Sequence, residues 1–257
     1  MNGFETTLTL IGGPTVLIEL DGVRLLTDPT FDPPGEYQGS VLLRKTAGPA
    51  LSAEQVGAVD AALLSHDQHS DNLDRGGRAF LDRAKTTFTT AAGAARLKGN
   101  SKALAPFETA AIEGASGAKL LVTGAPARHG PAGIEPLSGD VIGFLIGRRE
   151  PGDAIYVTGD TVWYDGTAEV ARRYRPKLVI AFAGSAETRA RFHLTMDAND
   201  VIETAHAFPA AAIVAVHNHG WEHFKESAAD LTQAFAVLRI ADRLTILDAG
   251  KPARFMV

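Results

Sequence analysis

Apolar and polar positions alternate in short runs near the N-terminus, which is the pattern of β-strands. The runs TLTLIGG, TVLIEL and VRLLTD are rich in Thr, Val, Ile and Leu. Gly-Gly-Pro at residues 12–14 and Asp21-Gly22 separate these runs, and an Asp-Gly pair between apolar runs is a strong hairpin signal. We therefore expect the chain to begin with β-hairpins.

The rest of the chain predicts strands first, and then strands that alternate with helices. AALLSH is strand-like, and NLDRGGRAFLDRA predicts a helix that Gly76 and Gly77 weaken. Further strand-like runs are TTFTT, KLLVTGAPARH, VIGFLIGRR and AIYVTGD. From about residue 160 the pattern predicts, in order, a helix near 166–175, strand KLVIAFAG, helix DANDVIETAHAF, strand AAIVAVHN, helix SAADLTQAFAVLR and strand LTILD. The first half is thus mainly hairpins, and two sheets with helices on their outer faces would accommodate the whole.

Composition and charge narrow the class of protein. A chain of 257 residues, 45% of them hydrophobic, can bury one full core, so we expect a single domain over residues 1–257. The net charge of −5, without a run of Lys or Arg, argues against a nucleic-acid partner. The sequence shows no signal peptide and no apolar run that could cross a bilayer, so we expect a cytoplasmic protein with no transmembrane segment. Since there is no cysteine, any metal must be held by His, Asp or Glu.

Polar side chains with metal-binding chemistry follow several of the predicted strands directly. His66 and His69 follow AALL, His129 follows LLVTGAPAR, Asp160 follows AIYVTG, and His217 follows AAIVAV. Each histidine alone is better explained as a hydrogen-bonded structural residue. Because the ends of neighbouring strands meet at one edge of a sheet, four strand ends with the same chemistry indicate a shared site.

The stretch SHDQHSDNLD carries the densest part of this chemistry. His66, His69 and Asp71 offer two imidazoles and a carboxylate, which suit zinc, manganese or iron. The backbone needs only to turn there for all three side chains to face inward. The sequence therefore predicts a site for a divalent metal.

The combination of SHDQHSDNLD, PARHG, TGDT and AVHNHGW resembles the metallo-β-lactamase-fold hydrolases. Within them it is most similar to the branch of ascorbate-6-phosphate lactonase and the phospholipase-D-like enzymes that act on N-acyl ethanolamine phospholipids. LIGGPTVLIEL, RLLTDP, RFHLTMDA and HNHGWEHF are similar to other segments of that branch. The resemblance implies an α+β fold, a four-layer αβ/βα sandwich of two mixed sheets with helices on the outer faces. It also implies a metal site at one edge of the sheets.

The family's metal motif, H-x-H-x-D-H, differs from this sequence at two places. Two residues, rather than one, stand between His66 and His69, so the loop must bulge for His69 to be the second histidine. Asn72 stands where the family has its last histidine, whereas Asp71 matches the aspartate. The resemblance places His66, His69 and His129 in one metal site, with Asp160 bridging to a second site.

The second site implied by the resemblance lacks an imidazole in this sequence. It would contain Asp71, Asp160 and His217, with only the amide of Asn72 in place of the missing histidine. A neutral amide is a weak zinc donor, so we expect this site to bind metal weakly or not at all. His219 could supply the imidazole if the segment stays extended, although Gly220 suggests a turn. The sequence therefore leaves open whether the protein binds one ion or two. Zn is favoured, with Mn, Fe and Ni as alternatives.

If metal is bound, the expected chemistry is hydrolysis by a metal-bound hydroxide. Asp71 or Asp160 could accept the proton, and His219 or His223 could protonate the leaving group.

Two further polar residues have both a functional and a structural interpretation. Asp28 either hydrogen-bonds a ligand histidine or caps the turn at Pro29, and the two interpretations weigh equally. His193 either lines the pocket, as the resemblance suggests, or precedes a helix that begins near Thr195.

Three hypotheses remain from the sequence. The first is a metal-dependent hydrolase of a small ester, lactone or phosphoester. The second is a binding or regulatory protein of the same fold with a degraded second metal site, as Asn72 suggests. The third is a metal-free protein whose histidines satisfy one another. The expected partner is a small-molecule substrate, and a homo-oligomer is left open.

Overall fold

The computed structural model describes residues 4–257 and contains two seven-stranded mixed sheets. The strands of the first sheet lie in the order Pro252–Met256 (β16), Glu5–Gly12 (β1), Thr15–Leu20 (β2), Val23–Thr27 (β3), Val59–Leu63 (β6), Ala84–Thr89 (β7) and Ser101–Ala103 (β8). The strands from β16 to β3 pair antiparallel, and those from β3 to β8 pair parallel. This sheet therefore joins a hairpin half to a crossover half.

The second sheet has the same division into two halves. Its strands lie in the order Leu244–Ile246 (β15), Ala212–Val216 (β14), Leu178–Phe182 (β13), Ile155–Val157 (β12), Ile142–Gly147 (β11), Lys119–Pro126 (β10) and Thr109–Glu113 (β9). The strands from β9 to β12 pair antiparallel, and those from β12 to β15 pair parallel. A separate two-stranded sheet contains Gly35–Gln38 (β4) and Leu42–Lys45 (β5).

Short helices cover the sheets. They are Ala53–Val56 (α1), Arg75–Phe80 (α2), Ala91–Leu97 (α3), Glu135–Ser138 (α4), Asp165–Arg173 (α5), Ala198–Ala207 (α6) and Ala228–Val237 (α7). Several begin at a Ser, Thr or Asp whose side chain accepts from a backbone N–H of the first turn. Within residues 4–257, every helix is too short or too polar to span a bilayer.

Alternation along the strands divides the core into three layers of apolar side chains. In β2, Val16 and Ile18 join the cluster between the two sheets, whereas Leu17 joins the cluster under α1 and α2. In β13, Ile180 faces the inter-sheet cluster and Val179 faces the cluster under α5, α6 and α7. The predicted four-layer αβ/βα sandwich is confirmed.

Most of the predicted strands and helices are present in the structure, but the pairing in the middle of the first half differs from the prediction. Asp21 and Gly22 form the turn between β2 and β3, where Leu20 pairs with Val23. However, β6, β7 and β8 form parallel pairs, so the prediction that the first half is mainly hairpins was wrong for this part. The strands β4, β5, β8, β9 and β16 were not predicted.

The two glycines of α2 have a packing reason. A Cβ at Gly77 would lie 1.7 Å from the carbonyl oxygen of Pro29, so the helix approaches the loop after β3 more closely than any side chain allows. Asp74 caps this helix by accepting from Gly77 N. The helix that begins here therefore fixes the end of SHDQHSDNLD against the loop that follows Asp28.

Candidate metal centre

The ends of four strands bring the predicted ligands together at one edge of the two sheets. His66 and His69 follow β6 of the first sheet. His129 follows β10, and Asp160 and His217 follow β12 and β14 of the second sheet. Their ligand atoms fall into two adjoining groups: His66, His69 and His129, and Asp71, Asp160 and His217. The convergence of these strand ends is thus a feature of the fold.

Three imidazole nitrogens meet in the first group, which we call the three-histidine cluster. His69 Nδ1 lies 2.8 Å from His66 Nε2 and 3.1 Å from His129 Nε2. His66 and His129 are buried, and His69 is partly open to the cleft above. A tetrahedral zinc ion with Zn–N bonds of about 2.0–2.1 Å separates its nitrogens by roughly 3.3 Å, close to the spacing here.

Hydrogen bonds on the far side of two rings leave these nitrogens free to bind a metal. His129 Nδ1 donates to the carbonyl oxygen of Leu194 at 2.7 Å, so Nε2 carries the lone pair. Ser65 Oγ donates to Asp28 Oδ1 at 2.8 Å and can accept from His66 Nδ1 at 2.9 Å. Asp28 therefore reaches the His66 ring through Ser65, which is the arrangement typical of metal-binding histidines.

Two carboxylates surround one imidazole in the second group, which we call the acidic cluster. His217 Nδ1 lies 3.0 Å from Asp160 Oδ1, and His217 Nε2 lies 3.5 Å from Asp71 Oδ2. His223 Nε2 contacts Asp71 Oδ2 at 3.0 Å. Asp160 also faces the three-histidine cluster, with Oδ2 3.6 Å from His129 Nε2. Asp160 thus stands between the two clusters.

The electrostatics of the two clusters are opposite. Burial and the neighbouring imidazoles hold the pKa of His66 well below its usual value and lower the pKa of His69 to about 4. Burial alone would lower the pKa of His217, but Asp160 and Asp71 raise it to about 10. Burial would likewise raise the pKa values of both carboxyls, yet His217 holds them below their usual range. His66 and His69 are therefore neutral, whereas the acidic cluster contains an ion pair.

Backbone strain occurs at two residues of the site. His217 has φ of 57° and Asp28 has φ of 27°, both in the left-handed region that non-glycine residues seldom adopt. The N–H of His217 donates to the carbonyl oxygen of Gly13 at 3.0 Å, which holds the strained residue at the turn between β1 and β2. Such strain persists only where surrounding contacts fix it, and it is concentrated at functional sites.

Asn72 lies inside the site rather than at its margin. Its side chain is buried, and Nδ2 donates to Asp160 Oδ1 at 3.1 Å. The amide therefore supports the carboxylate that stands between the clusters. The amide oxygen Oδ1 is buried without a hydrogen-bond partner among the described residues.

The residues present fit a bound cation. Three of the buried polar atoms that lack a hydrogen-bond partner within residues 4–257 belong to these clusters or adjoin them: Asp28 Oδ2, Asn72 Oδ1 and Asp160 Oδ2. Buried polar groups are rarely left without a partner, so their concentration here indicates a missing one. Neutral imidazoles and carboxylates are the donors that zinc and related divalent ions prefer.

The predicted residues His219 and His193 lie outside both clusters. His219 is exposed and directly precedes Gly220, which has φ of 91°. His193 contacts Asp200 at 3.1 Å and Asp197 at 3.6 Å, at the N-terminus of α6. Of the two histidines that follow His217, His223 is the one that contacts Asp71.

Helix α3, which the sequence analysis did not connect with the site, anchors the loop between His66 and His69. Arg96 of α3 binds the Asp67 carboxylate and donates to Gln68 Oε1 at 3.0 Å. A Cβ at Gly139, where φ is 78°, would lie 1.8 Å from Gln68 Nε2. The two residues between His66 and His69 are thus held from both sides, which allows His69 to join the cluster despite the extra residue.

A buried ion pair ties the loop to the small sheet above the site. Lys45 Nζ of β5 donates to Asp74 Oδ2 at 2.8 Å, and both side chains are almost fully buried. The same carboxylate accepts from the N–H groups of Phe31, Asp32 and Gly77. Because each oxygen has two donors, the pair is well compensated for its burial.

An open cleft lies over the three-histidine cluster. His69, Asp71, His129 and His223 form its floor. Its walls come from the turn and second strand of the β4–β5 sheet, from the residues of α4 and from the loop before α6. Sequence reasoning missed the walls, although Gly39-Ser40 between two short runs is a turn signal that could have found the first of them.

The fold is shared with solved structures over nearly its whole length. An isothiocyanate hydrolase from Delia radicum gut bacteria is 23% identical, with a TM-score of 0.83, over 98% of this chain and 100% of that one. A possible metal-dependent hydrolase from Veillonella parvula DSM 2008 is 19% identical, with a TM-score of 0.81, over 96% of this chain and 98% of that one.

Two relatives have sequences similar to this chain, and one family matches it. UPF0173 protein YddR of Bacillus subtilis (strain 168) is 25% identical over 236 residues, which cover 87% of this chain and 90% of YddR. N-acyl-phosphatidylethanolamine-hydrolyzing phospholipase D 1 of Caenorhabditis elegans is 33% identical over 66 residues, 26% of this chain and 18% of that protein. The family described as Beta-lactamase superfamily domain matches residues 23–218. Since this match covers most of the chain, the protein belongs to the beta-lactamase superfamily.

Proposed function

We propose that the protein is a metal-dependent hydrolase of a small ester, lactone or phosphoester. One observation carries the proposal: three imidazole nitrogens converge beside Asp160 at the floor of an open cleft. A structural metal site is closed, whereas a catalytic one leaves a position open to water or substrate. The opening above His69 and His129 is what a hydrolytic site requires.

The residues have distinct proposed roles. His66, His69 and His129, with Asp160, would hold one ion, and Asp71 and His217 would hold a second ion that shares Asp160. Such ions supply a lowered water pKa and polarise the substrate's carbonyl or phosphoryl oxygen. Zinc is the favoured metal, with manganese, iron and nickel as alternatives.

Proton transfer falls to a pair of side chains at the cleft floor. When no second ion engages it, Asp71 would accept the proton of the attacking water, and His223, 3.0 Å from it, would return a proton to the leaving group. His223 takes this role in place of His219, because His219 is exposed and outside the cleft. Asp160 would share the acceptor role only where it is not engaged by metal.

The relatives support hydrolysis in general. One similar structure is described as an isothiocyanate hydrolase and another as a possible metal-dependent hydrolase. The short match to the phospholipase supports the branch that the motifs resemble, but it covers only 66 residues. A regulatory protein of the same fold is the second candidate, because Asn72 occupies the position of a family ligand.

Metal content and turnover together test the proposal. Protein purified without chelator should contain at least one ion of Zn, Mn, Fe or Ni per chain, measured by mass spectrometry of the metals. His129→Ala should lose that ion and at least about 100-fold of kcat/KM, since changes to outer partners alone cost 10–100-fold. His206→Ala, an exposed helical histidine, is the control and should match the parent.

Each alternative has its own outcome. Metal-loaded protein that turns over no lactone, phosphodiester or acyl ester would favour the regulatory candidate. Protein that contains only trace metal, and gains none on reconstitution, would contradict any metal site. Activity that is unchanged in His129→Ala would show that catalysis occurs elsewhere.

A further inference from the structure

The cleft walls are apolar above a polar floor. Val41 and Leu43 come from the β4–β5 sheet, Ile134 and Leu137 from the start of α4, and Phe192 and Leu194 from the loop before α6. Leu137 is 60% exposed and so presents its apolar side chain to the cleft mouth. Ligand pockets typically combine apolar walls with a few polar groups that orient the reacting atoms, as here.

Positive charge is scarce in the same cleft. Among the described residues that line it, Arg189 is the only Lys or Arg, and its Nη2 donates to Ser40 Oγ at 3.0 Å across the mouth. Its exposed guanidinium bridges two walls and is far better placed to hold them together than to bind a buried anion. Phosphate groups are usually bound by several cations or backbone N–H groups, and Arg189 is the one cationic side chain among these lining residues.

The alternation of side chains along β5 shows which of its leucines faces the cleft. Leu43 is half-buried and lines the cleft, whereas its neighbour Leu42 is 39% exposed and lies outside the cleft. Lys45, two residues beyond Leu43, points inward to its buried partner Asp74 and so fixes the strand's orientation. Leu43 is therefore held over the site by the ion pair beneath it.

We propose that the substrate is an uncharged carboxylic ester, open-chain or cyclic, whose acyl group is apolar and packs against Leu43 and Phe192. This inference rests on the proposed function. Hydrolysis would add the oxygen of water to the carbonyl carbon and break the acyl C–O bond. The alcohol leaves with one proton, and the acid leaves as a carboxylate and a proton. Phosphodiesters, which carry a negative charge that the walls do not match, are poor substrates.

A series of 4-nitrophenyl esters tests the acyl preference with one leaving group. For the zinc-loaded parent, kcat/KM should rise roughly tenfold from acetate to butanoate, because each buried methylene adds about 0.8 kcal/mol to binding. Leu43→Ala should reduce this gain to less than about threefold. Leu42→Ala, on the outer face of the same strand, is the matched control and should keep the full gain. Bis(4-nitrophenyl) phosphate should be cleaved more slowly than the butanoate ester.

A neutral ketone separates failure of this inference from failure of the hydrolase proposal. Heptan-2-one resembles an ester but cannot be hydrolysed, and its binding is measured by calorimetry. If no ester is cleaved, yet heptan-2-one binds the parent and Leu42→Ala several-fold more tightly than Leu43→Ala, the apolar specificity holds and only hydrolysis is contradicted. Ester cleavage without a dependence on chain length, or faster cleavage of the phosphodiester, would overturn the inference alone. Neither cleavage nor ketone binding would overturn both.

Discussion

The two clusters of the site lie side by side but differ in how they balance charge. The three-histidine cluster has three convergent nitrogens, and burial keeps the pKa values of His66 and His69 low. The acidic cluster instead holds one imidazole between two carboxylates, and these raise the pKa of His217 to about 10. In the first cluster His66 and His69 thus stay neutral, whereas the second has an imidazolium that already acts as its cation.

This difference has a consequence for metal binding. A divalent ion at the three-histidine cluster displaces no proton from His66 or His69, because both imidazoles are neutral. An ion at the acidic cluster must first displace the proton shared among His217, Asp71 and Asp160, and it lacks the imidazole that Asn72 replaces. We therefore expect the first ion to bind tightly and the second weakly, with Asp160 between them.

The largest effect should come from removing one imidazole from each cluster in turn. His66→Ala should lose the tight ion and more than about 100-fold of kcat/KM, since even outer partners contribute 10–100-fold. His217→Ala should retain one ion per chain and lose less activity, because the three-histidine cluster remains whole. Metal content after brief dialysis against a chelator, together with kcat/KM for an ester, measures both. Equal loss of metal in the two variants would remove the distinction between the clusters.

The sequence predicted which residues form these clusters, but it did not predict contacts between residues far apart in the chain. The positions of His129, Asp160 and His217 after apolar strands sufficed to predict convergence, because strand ends in one sheet meet regardless of loop detail. The role of Arg96 could not be predicted, since its contact with Asp67 spans 29 residues and depends on where α3 docks.

The choice between His219 and His223 shows the same limit at shorter range. Both follow His217 within a few residues, and the direction of each side chain is set by the turn at Gly220 and by φ of 57° at His217. Periodicity predicts side-chain directions only in regular elements, and this segment is irregular. The β4–β5 walls were missed because Gly35, Glu36 and Gln38 have low strand propensity.

A smaller effect is expected from weakening the hydrogen bonds that orient the His66 ring. Asp28→Asn keeps the volume of a buried side chain but weakens its acceptance from Ser65, and so loosens the orientation of the His66 ring. We expect roughly 10–100-fold weaker binding of the tight ion, measured by competition with a chelating dye. Asp60→Asn, a buried acid at the other end of β6, is the control and should leave metal affinity unchanged. A parent-like affinity in Asp28→Asn would limit Asp28 to a role in the turn at Pro29.

The smallest expected effect is a gain rather than a loss. Asn72→His would place an imidazole beside Asp160, where the amide now donates to Oδ1 at 3.1 Å, and would give the acidic cluster a second neutral donor. The affinity for a second ion should rise about tenfold, with the first ion unchanged, in a calorimetric titration of metal-free protein. Asn72→Gln, which keeps an amide, is the matched control and should show no such gain. If the Asn72→His variant binds the second ion no more tightly than the parent, then the weakness of the acidic cluster comes from the ion pair around His217 rather than from the missing histidine.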